Sequence, residues 1–247
     1  MITCKNPILS GFYPDPSICR VGEWFYLVTS TFAYFPGIPV FRSRNLAQWE
    51  QIGNILTRES QLPLQGCEHN EGIYAPTLRW HKGTFYLITT NVSGGGNFIV
   101  TAKNPQGPWS EPHFLENARG IDPSLFFDED GTCYYIGQRE NSRGGRYNGD
   151  CEIWIQKLDL QTFRLEGEAH PVLYGFQRNA IWPEGPHLYK RNGYYYIFHD
   201  LLVDLRLLFE KFWNDMTTLF SYVNNIFFRY RTIRPSQMVT YISPFSY

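Results

Sequence analysis

Four stretches of this 247-residue chain repeat one short grammar, and that repetition limits the fold more than any other feature. They are Tyr13-Pro14-Asp15-Pro16-Ser17-Ile18, Tyr74-Ala75-Pro76-Thr77-Leu78, Ile121-Asp122-Pro123-Ser124-Leu125 and Pro183-Glu184-Gly185-Pro186-His187-Leu188. Each passes through a Gly-containing turn, at Gly22, Gly83, Asp130-Gly131 and Asn192-Gly193, into a return strand of β-branched or aromatic residues. A short alternating strand, a glycine turn and an apolar return strand make a β-hairpin.

Pro16, Pro76, Pro123 and Pro186 lie 60, 47 and 63 residues apart. Periods of this size belong to radial or stacked repeats. Between the hairpins lie further strand-like pieces, Asn97 to Ala102 and Glu152 to Leu158, enough for about four strands per unit. Four-stranded units at this period are the blades of a β-propeller, so the fold class is all-β. Aromatic residues at 17%, with 21 Gly and 16 Pro, favour the same short strands and turns over helices. Trp49 and Trp109 each follow an outer strand and a turn, and are expected to pack blade against blade.

Carboxylates recur at one point of the repeat. Asp15 and Asp122 immediately precede Pro16 and Pro123, Glu184 lies two residues before Pro186, and the second unit carries Ala75 there. The innermost strand of a propeller blade runs along the central channel, so equivalent positions are expected to converge at one mouth. Clustered carboxylates resist simultaneous ionisation, which raises one pKa and leaves another group charged. Hydrolysis of a glycosidic bond uses such a divergent pair: a protonated carboxyl for the leaving oxygen and an ionised one for water or carbon. Asp15, Asp122 and Glu184 are therefore the candidate catalytic residues.

These stretches resemble a known family. NPILSGFYPDPSICRVGEWFYLVTSTFAYFPGIPVFRSRNLAQW, GIYAPTLRWHKGTFYLI, GIDPSLFFDEDG and EGPHLYKRNGYYYI are similar to glycoside hydrolase family 43, on its β-xylosidase and α-L-arabinofuranosidase side, from about Lys5 to Ile197. The resemblance implies a five-bladed β-propeller and an inverting mechanism. It implies Asp15 as general base, Glu184 as general acid, and Asp122 as the residue that tunes and orients the acid. It further implies substrate contacts at Phe32, Tyr74 and Ala75; Tyr74 is a departure, since close relatives often carry Trp there. The implied substrate is a small oligosaccharide or pentoside, with xylose and arabinofuranose both open. A fructosidase-type hydrolase would want Arg before the Asp-Pro of the third unit, where Ile121 stands.

Other features exclude function classes. With Lys+Arg 22 against Asp+Glu 23 there is no electrostatic footprint for nucleic acid or an anionic membrane. Nothing approaches the ~18 apolar residues of a membrane span. The N-terminal stretch shows no basic region followed by a long apolar run, so a cytoplasmic protein is expected. Five scattered cysteines, Cys4, Cys19, Cys67, Cys133 and Cys151, form neither a disulfide framework nor a zinc pattern and read as small buried hydrophobes. No cofactor or metal is expected and no calcium site is indicated. The Gly-rich Ser93 to Asn97 reads as a flexible turn near the site, and Glu68, His69 and Glu71 as a solvated loop. Arg139, Arg143 and Arg146, in a Gly-containing loop, also read as solvated.

After about His199 the character changes. Residues 200–247 contain none of the 21 glycines, and their apolar residues mix helical and strand spacing. The expected organisation is a partial propeller catalytic domain over 1–199, about three and a half blades, with a divergent tail over 200–247. A gene product truncated or frameshifted after that point fits better than a helical replacement for the missing sector, because local and global signals disagree there. Under that reading the alternative function is an inactive propeller fragment with residual carbohydrate or partner binding.

Overall fold

In a computed structural model that describes residues 6–175, 180–203 and 230–233, the repeats become meandering β-sheets. The first sheet runs in chain order through β1 (Ser17–Val21), β2 (Trp24–Val28), β3 (Gly37–Ser43) and β4 (Glu50–Leu56). The second comprises β5 (Thr77–His81), β6 (Thr84–Asn91), β7 (Gly96–Ala102) and β8 (His113–Phe114), and the third β9 (Ile121–Phe127), β10 (Cys133–Glu140), β11 (Cys151–Asp159) and β12 (Arg164–Tyr174). In the fourth, β13 (Ala180–Arg191), β14 (Tyr194–Val203) and β15 (Tyr230–Ile233) are paired. No α-helix occurs among the described residues, and the all-β class read from the sequence stands. Apart from residues 200–203 and β15, the divergent tail expected over 200–247 lies outside the described residues.

The hairpin turns follow from their residues. Lys82-Gly83 and Asn192-Gly193 each place both central residues in the left-handed region, with φ of 46° and 79° and of 51° and 74°, the type I′ geometry that matches strand twist. The first strands of the first two repeats begin later than the sequence pattern suggests: β1 starts at Ser17 and β5 at Thr77, each directly after its proline. Proline has no N–H to give a ladder, so pairing starts one residue on.

The chain divides into two compact units, one of residues up to 125 with 161–164, the other of 126–160 and those from 165 onward. In the first unit, Val28, Val40 and Leu56 of the first sheet join Leu78, Leu87, Phe98 and Val100 of the second in one buried cluster. Trp109 lies inside that cluster, as the blade-against-blade expectation requires, and Tyr26 meets Phe85 edge-on at 5.3 Å.

The second unit buries Phe126, Tyr134, Ile136, Ile153 and Ile155 against Leu188, Tyr195 and Ile197. Beside this core Asp128 accepts hydrogen bonds from Lys190 Nζ (2.7 Å) and Tyr195 Oη (2.5 Å). Burial alone would push the Asp128 carboxyl up, but the bonds from Lys190 and Tyr195 outweigh it and hold the group below the usual carboxylate range. A depressed folded-state pKa contributes stability that is present above the unfolded value and lost as pH falls through the folded one. Asp128→Asn is therefore expected to cost about 2 kcal/mol at neutral pH. Urea unfolding should show that difference shrinking as pH falls below the normal carboxylate range; a pH-independent difference would contradict the assignment.

Candidate active site

The first two acids share a backbone device. Asp15 stands two residues before β1, and Asp122 is the second residue of β9; both have φ of 53°. Left-handed backbone at a non-glycine residue is uncommon, and Asp is among the side chains that tolerate it best. At Asp15 it is held in place: Ser30, buried just past β2, donates its hydroxyl to Asp15 Oδ2 (2.5 Å) and its N–H to the Pro14 carbonyl (3.0 Å). Because Ser30 is buried and the acid is solvent-exposed, the carboxylate is displayed from a fixed base.

Asp122 is steadied from the other side of its strand. Asn97, 1% exposed, donates its amide to the carbonyls of Ala118 (2.6 Å) and Gly120 (3.2 Å) and accepts from Thr90 Oγ1 (2.5 Å). These bonds pin the chain two to four residues ahead of the acid. The first strands of the three repeats are stitched together within this unit: Leu78 N–H donates to Ser17 Oγ (3.2 Å), and Arg79 Nε to the Leu125 carbonyl (3.1 Å). The positions of Asp15, Ala75 and Asp122 thus head neighbouring strands.

Glu184 belongs to the second unit and is built differently. It sits in β13 between two bulges, since Ile181 pairs Leu202 while Pro183 pairs Leu201, and Glu184 pairs Asp200 while His187 pairs Phe198. Each interval puts one extra residue on β13. Bulges of this kind re-aim side chains and are over-represented beside active sites. The left-handed slot before the proline is here filled by Gly185, with φ of 58°, so the acid stands one residue earlier than in the other repeats.

Two of the predicted sugar contacts come together. Phe32 and Ile73 exchange backbone hydrogen bonds (2.9 and 3.1 Å), and the Phe32 and Tyr74 rings meet at 5.5 Å with a tilt of 67°. Phe12, 61% exposed, adds a third ring 5.9 Å from Phe32. Ala75 follows Tyr74 half-buried. Apolar sugar faces stack on such rings, and small polar groups beside them fix orientation.

Elsewhere the side chains depart from the reading of the sequence. Arg139 and Arg146 do not face only solvent: Arg139 Nε meets Glu152 at 2.7 Å and Arg146 Nε meets Asp150 at 2.8 Å, both carboxylates fully buried. The Gly-rich turn ends in the buried Asn97 that braces β9. Glu71 ties its own loop by accepting from Glu68 N–H (3.1 Å) and Ser93 Oγ (3.4 Å). Cys133 and Cys151 are buried, with thiols pushed up to about 12 and about 11, chiefly by burial; Cys4 lies outside the described residues. Among the described residues no three His, Cys, Asp or Glu side chains gather to hold a metal. A groove of about 260 Å³ over β10, β11 and β12, lined by Tyr134, Lys157, Glu166 and His170, contains none of the candidate residues.

Sequence reasoning passed over Ser30 and Asn97. Thr29-Ser30 and Thr89-Thr90 recur at the same point after Val28 and Ile88, a polar pair closing an apolar strand, which is the signal that marks them.

Residues 4–200 match the family model described as glycosyl hydrolases family 43. The chain is 63% identical over 201 residues to a xylosidase/arabinosidase of Butyrivibrio fibrisolvens, covering 81% of this chain and 39% of that protein. It is 47% identical to a non-reducing end α-L-arabinofuranosidase of Bacteroides ovatus, covering 79% and 35%. Among solved structures, a xylan β-1,4-xylosidase from Bacillus halodurans superposes with a TM-score of 0.72 at 42% identity, covering 79% of this chain and 38% of that one. The chain thus spans under two fifths of the length of these relatives.

Asn97→Ala strips partners from two carbonyls and a buried hydroxyl at once. The expected cost is on the order of 2–3 kcal/mol, read as a lowered thermal unfolding midpoint, whereas a loss within about 0.5 kcal/mol would mean the brace is dispensable.

Proposed function

Because the chain belongs to the glycosyl hydrolases of family 43, we propose that it carries the acid and base of a glycosidase acting on β-xylosidic or α-L-arabinofuranosidic bonds. The observation that carries this reading is the repeated display of acids at the heads of first strands, Asp15 and Asp122 with the same left-handed backbone and Glu184 between two bulges. Structural repetition of that kind serves chemistry better than stability, since left-handed non-glycine backbone costs of order 1 kcal/mol or more per site.

In the proposed reaction Glu184 enters protonated and gives its proton to the glycosidic oxygen as the bond to the anomeric carbon breaks. Asp15, ionised, takes a proton from the water that attacks that carbon from the opposite face, so configuration inverts. Asp122 is assigned the role of tuning and orienting the acid, in keeping with the family resemblance, since a like charge favours the protonated form of a carboxyl. Phe32 and Tyr74 provide the stacking wall for the pentose, with Ala75 leaving room beside it. Supporting the substrate class are the xylosidase and arabinofuranosidase names of the relatives. The four sheets are read as consecutive blades of a five-bladed propeller whose catalytic domain here comprises 1–199, acting on small oligosaccharides in the cytoplasm.

The test is hydrolysis of nitrophenyl β-xyloside and nitrophenyl α-arabinofuranoside by the purified chain and by Glu184→Gln. A fall of about 10²–10⁴-fold in the variant is expected. Equal hydrolysis by both proteins would remove the acid assignment, and no hydrolysis by either would leave carbohydrate binding without turnover. Proton NMR of the first-formed sugar reads the anomer: the configuration opposite to the substrate's is expected, and retained configuration would overturn inversion.

A further inference from the structure

The bulge that aims Glu184 leaves a backbone donor without a place in the ladder, and its partner is supplied by a loop from the third sheet. Between Ile181 and Pro183 the residue left out of the β13–β14 register is Trp182, with φ of 45°. A bulky residue in that region is a genuine outlier and needs external support. Its N–H donates to the Gly149 carbonyl at 2.8 Å. Two residues earlier the Ala180 carbonyl accepts from Tyr147 Oη at 2.9 Å. Both groups lie on the 141–150 loop that joins β10 to β11.

That loop is closed around one buried carboxylate. Asp150 has a fully buried side chain and accepts from Arg146 Nε (2.8 Å), Arg146 Nη2 (3.1 Å), the Arg146 N–H (3.1 Å) and Asn141 Nδ2 (3.2 Å). Its own N–H returns to the Tyr147 carbonyl at 3.1 Å, and Asn141 N–H to the Asp150 carbonyl at 3.0 Å. The loop also fits its neighbour closely. A Cβ on Gly149, where φ is +83°, would stand 2.9 Å from Trp182 Cε2 and Nε1.

We propose that Asp150 is a positioning residue for Glu184. It fixes the loop whose Gly149 carbonyl holds the Trp182 bulge, and the bulge sets the direction of the acid two residues on. The Asp150 carboxylate is buried while its Arg146 partner is about half exposed, and a buried charge that obliges its partner to stay in place fixes geometry more than it adds net stability. The inference rests on Glu184 being the general acid.

A displaced general acid has a signature that general destabilisation lacks. Proton donation matters most for a poor leaving group and little for dinitrophenolate, which departs unaided. Asp150→Asn is expected to lower kcat on an alkyl xyloside at least about 10-fold more than on dinitrophenyl xyloside, with KM for the two little changed. Gly149→Ala, which leaves the Arg146–Asp150 pair intact and displaces Trp182, should show the same selectivity. Hydrogen exchange gives a readout free of turnover: the Trp182 amide should lose protection in both variants while the Leu188 to Lys190 amides keep theirs. Equal losses on the two substrates, or unchanged Trp182 exchange, would overturn the proposal. Glu184→Gln run beside them separates the failures. If it shows the leaving-group selectivity and Asp150→Asn does not, only the positioning role falls; if it shows none, the acid assignment falls and this inference with it.

Discussion

A proline directly after the displayed position is the constraint from which the rest of the architecture follows. It has no N–H, so in the first two repeats the ladder starts one residue late, while β9 and β13 begin ahead of theirs, and the residue before it is steered away from the right-handed helical basin. Three of the four positions so placed, Asp15, Asp122 and Gly185, take the left-handed alternative with φ of 53°, 53° and 58°. Ala75, which carries no carboxylate, does not. At Asp15 and Asp122, unlike at Gly185, that conformation is strained and needs something to hold it. At Asp15 the holder is Ser30, which engages both the carboxylate and the preceding carbonyl.

Burial in these sheets is of two kinds. Apolar alternation closes the cores, where Val28, Leu78, Leu87 and Ile136 are wholly covered. Near the strand heads and ends the buried residues are polar instead: Ser17, Thr77 and Ser124, each following its proline, and Thr29, Ser30, Thr89, Thr90 and Asn97. Polar groups out of water cost free energy unless they are bonded, so specific partners are demanded here, and Thr29 Oγ1 is the exception, with none among the described residues. That demand makes the strand heads rigid in a way that apolar packing alone would not, because Ser17 Oγ accepts only where Leu78 N–H arrives. Rigid heads are what a catalytic group needs behind it.

Much of this was legible in the chain before any coordinates. The turns were, because Lys82-Gly83 and Asn192-Gly193 encode left-handed backbone locally. So was the matching placement of Asp15 and Asp122, since a repeat fixes equivalent positions without knowledge of contacts. What escaped were roles defined by distant partners. Ser30 reaches back 15 residues and Asn97 reaches forward to Ala118 and Gly120, and neither is marked by residue type alone. Arg139 and Arg146 looked solvated because composition cannot show that Glu152 and Asp150 are buried, and only a buried carboxylate obliges its arginine to stay. The left-handed backbone at Asp15 and Asp122 was also invisible, because the pattern Asp-Pro permits extended and left-handed conformations alike.

Glu184 shows why the repeat is not a simple copy. A one-residue shift along a strand turns a side chain to the opposite face. Glu184 stands one residue before the slot that Asp15 and Asp122 occupy, with Gly185 in that slot, so a regular β13 would send the acid away from the face the repeat defines. The bulge between Glu184 and His187 adds one residue to β13 and resets the alternation on the far side; the bulge between Ile181 and Pro183 does the same on the near side. The acid is thereby decoupled from the ladder on both flanks, and its direction is set by whatever holds the bulges. A carboxylate proposed as a base needs only exposure on a firm mount, which Ser30 supplies for Asp15. A proton donor must meet one oxygen at one angle, and an acid between two bulges, with a loop carbonyl taking the N–H of Trp182, is mounted to be aimed independently of the sheet that carries it.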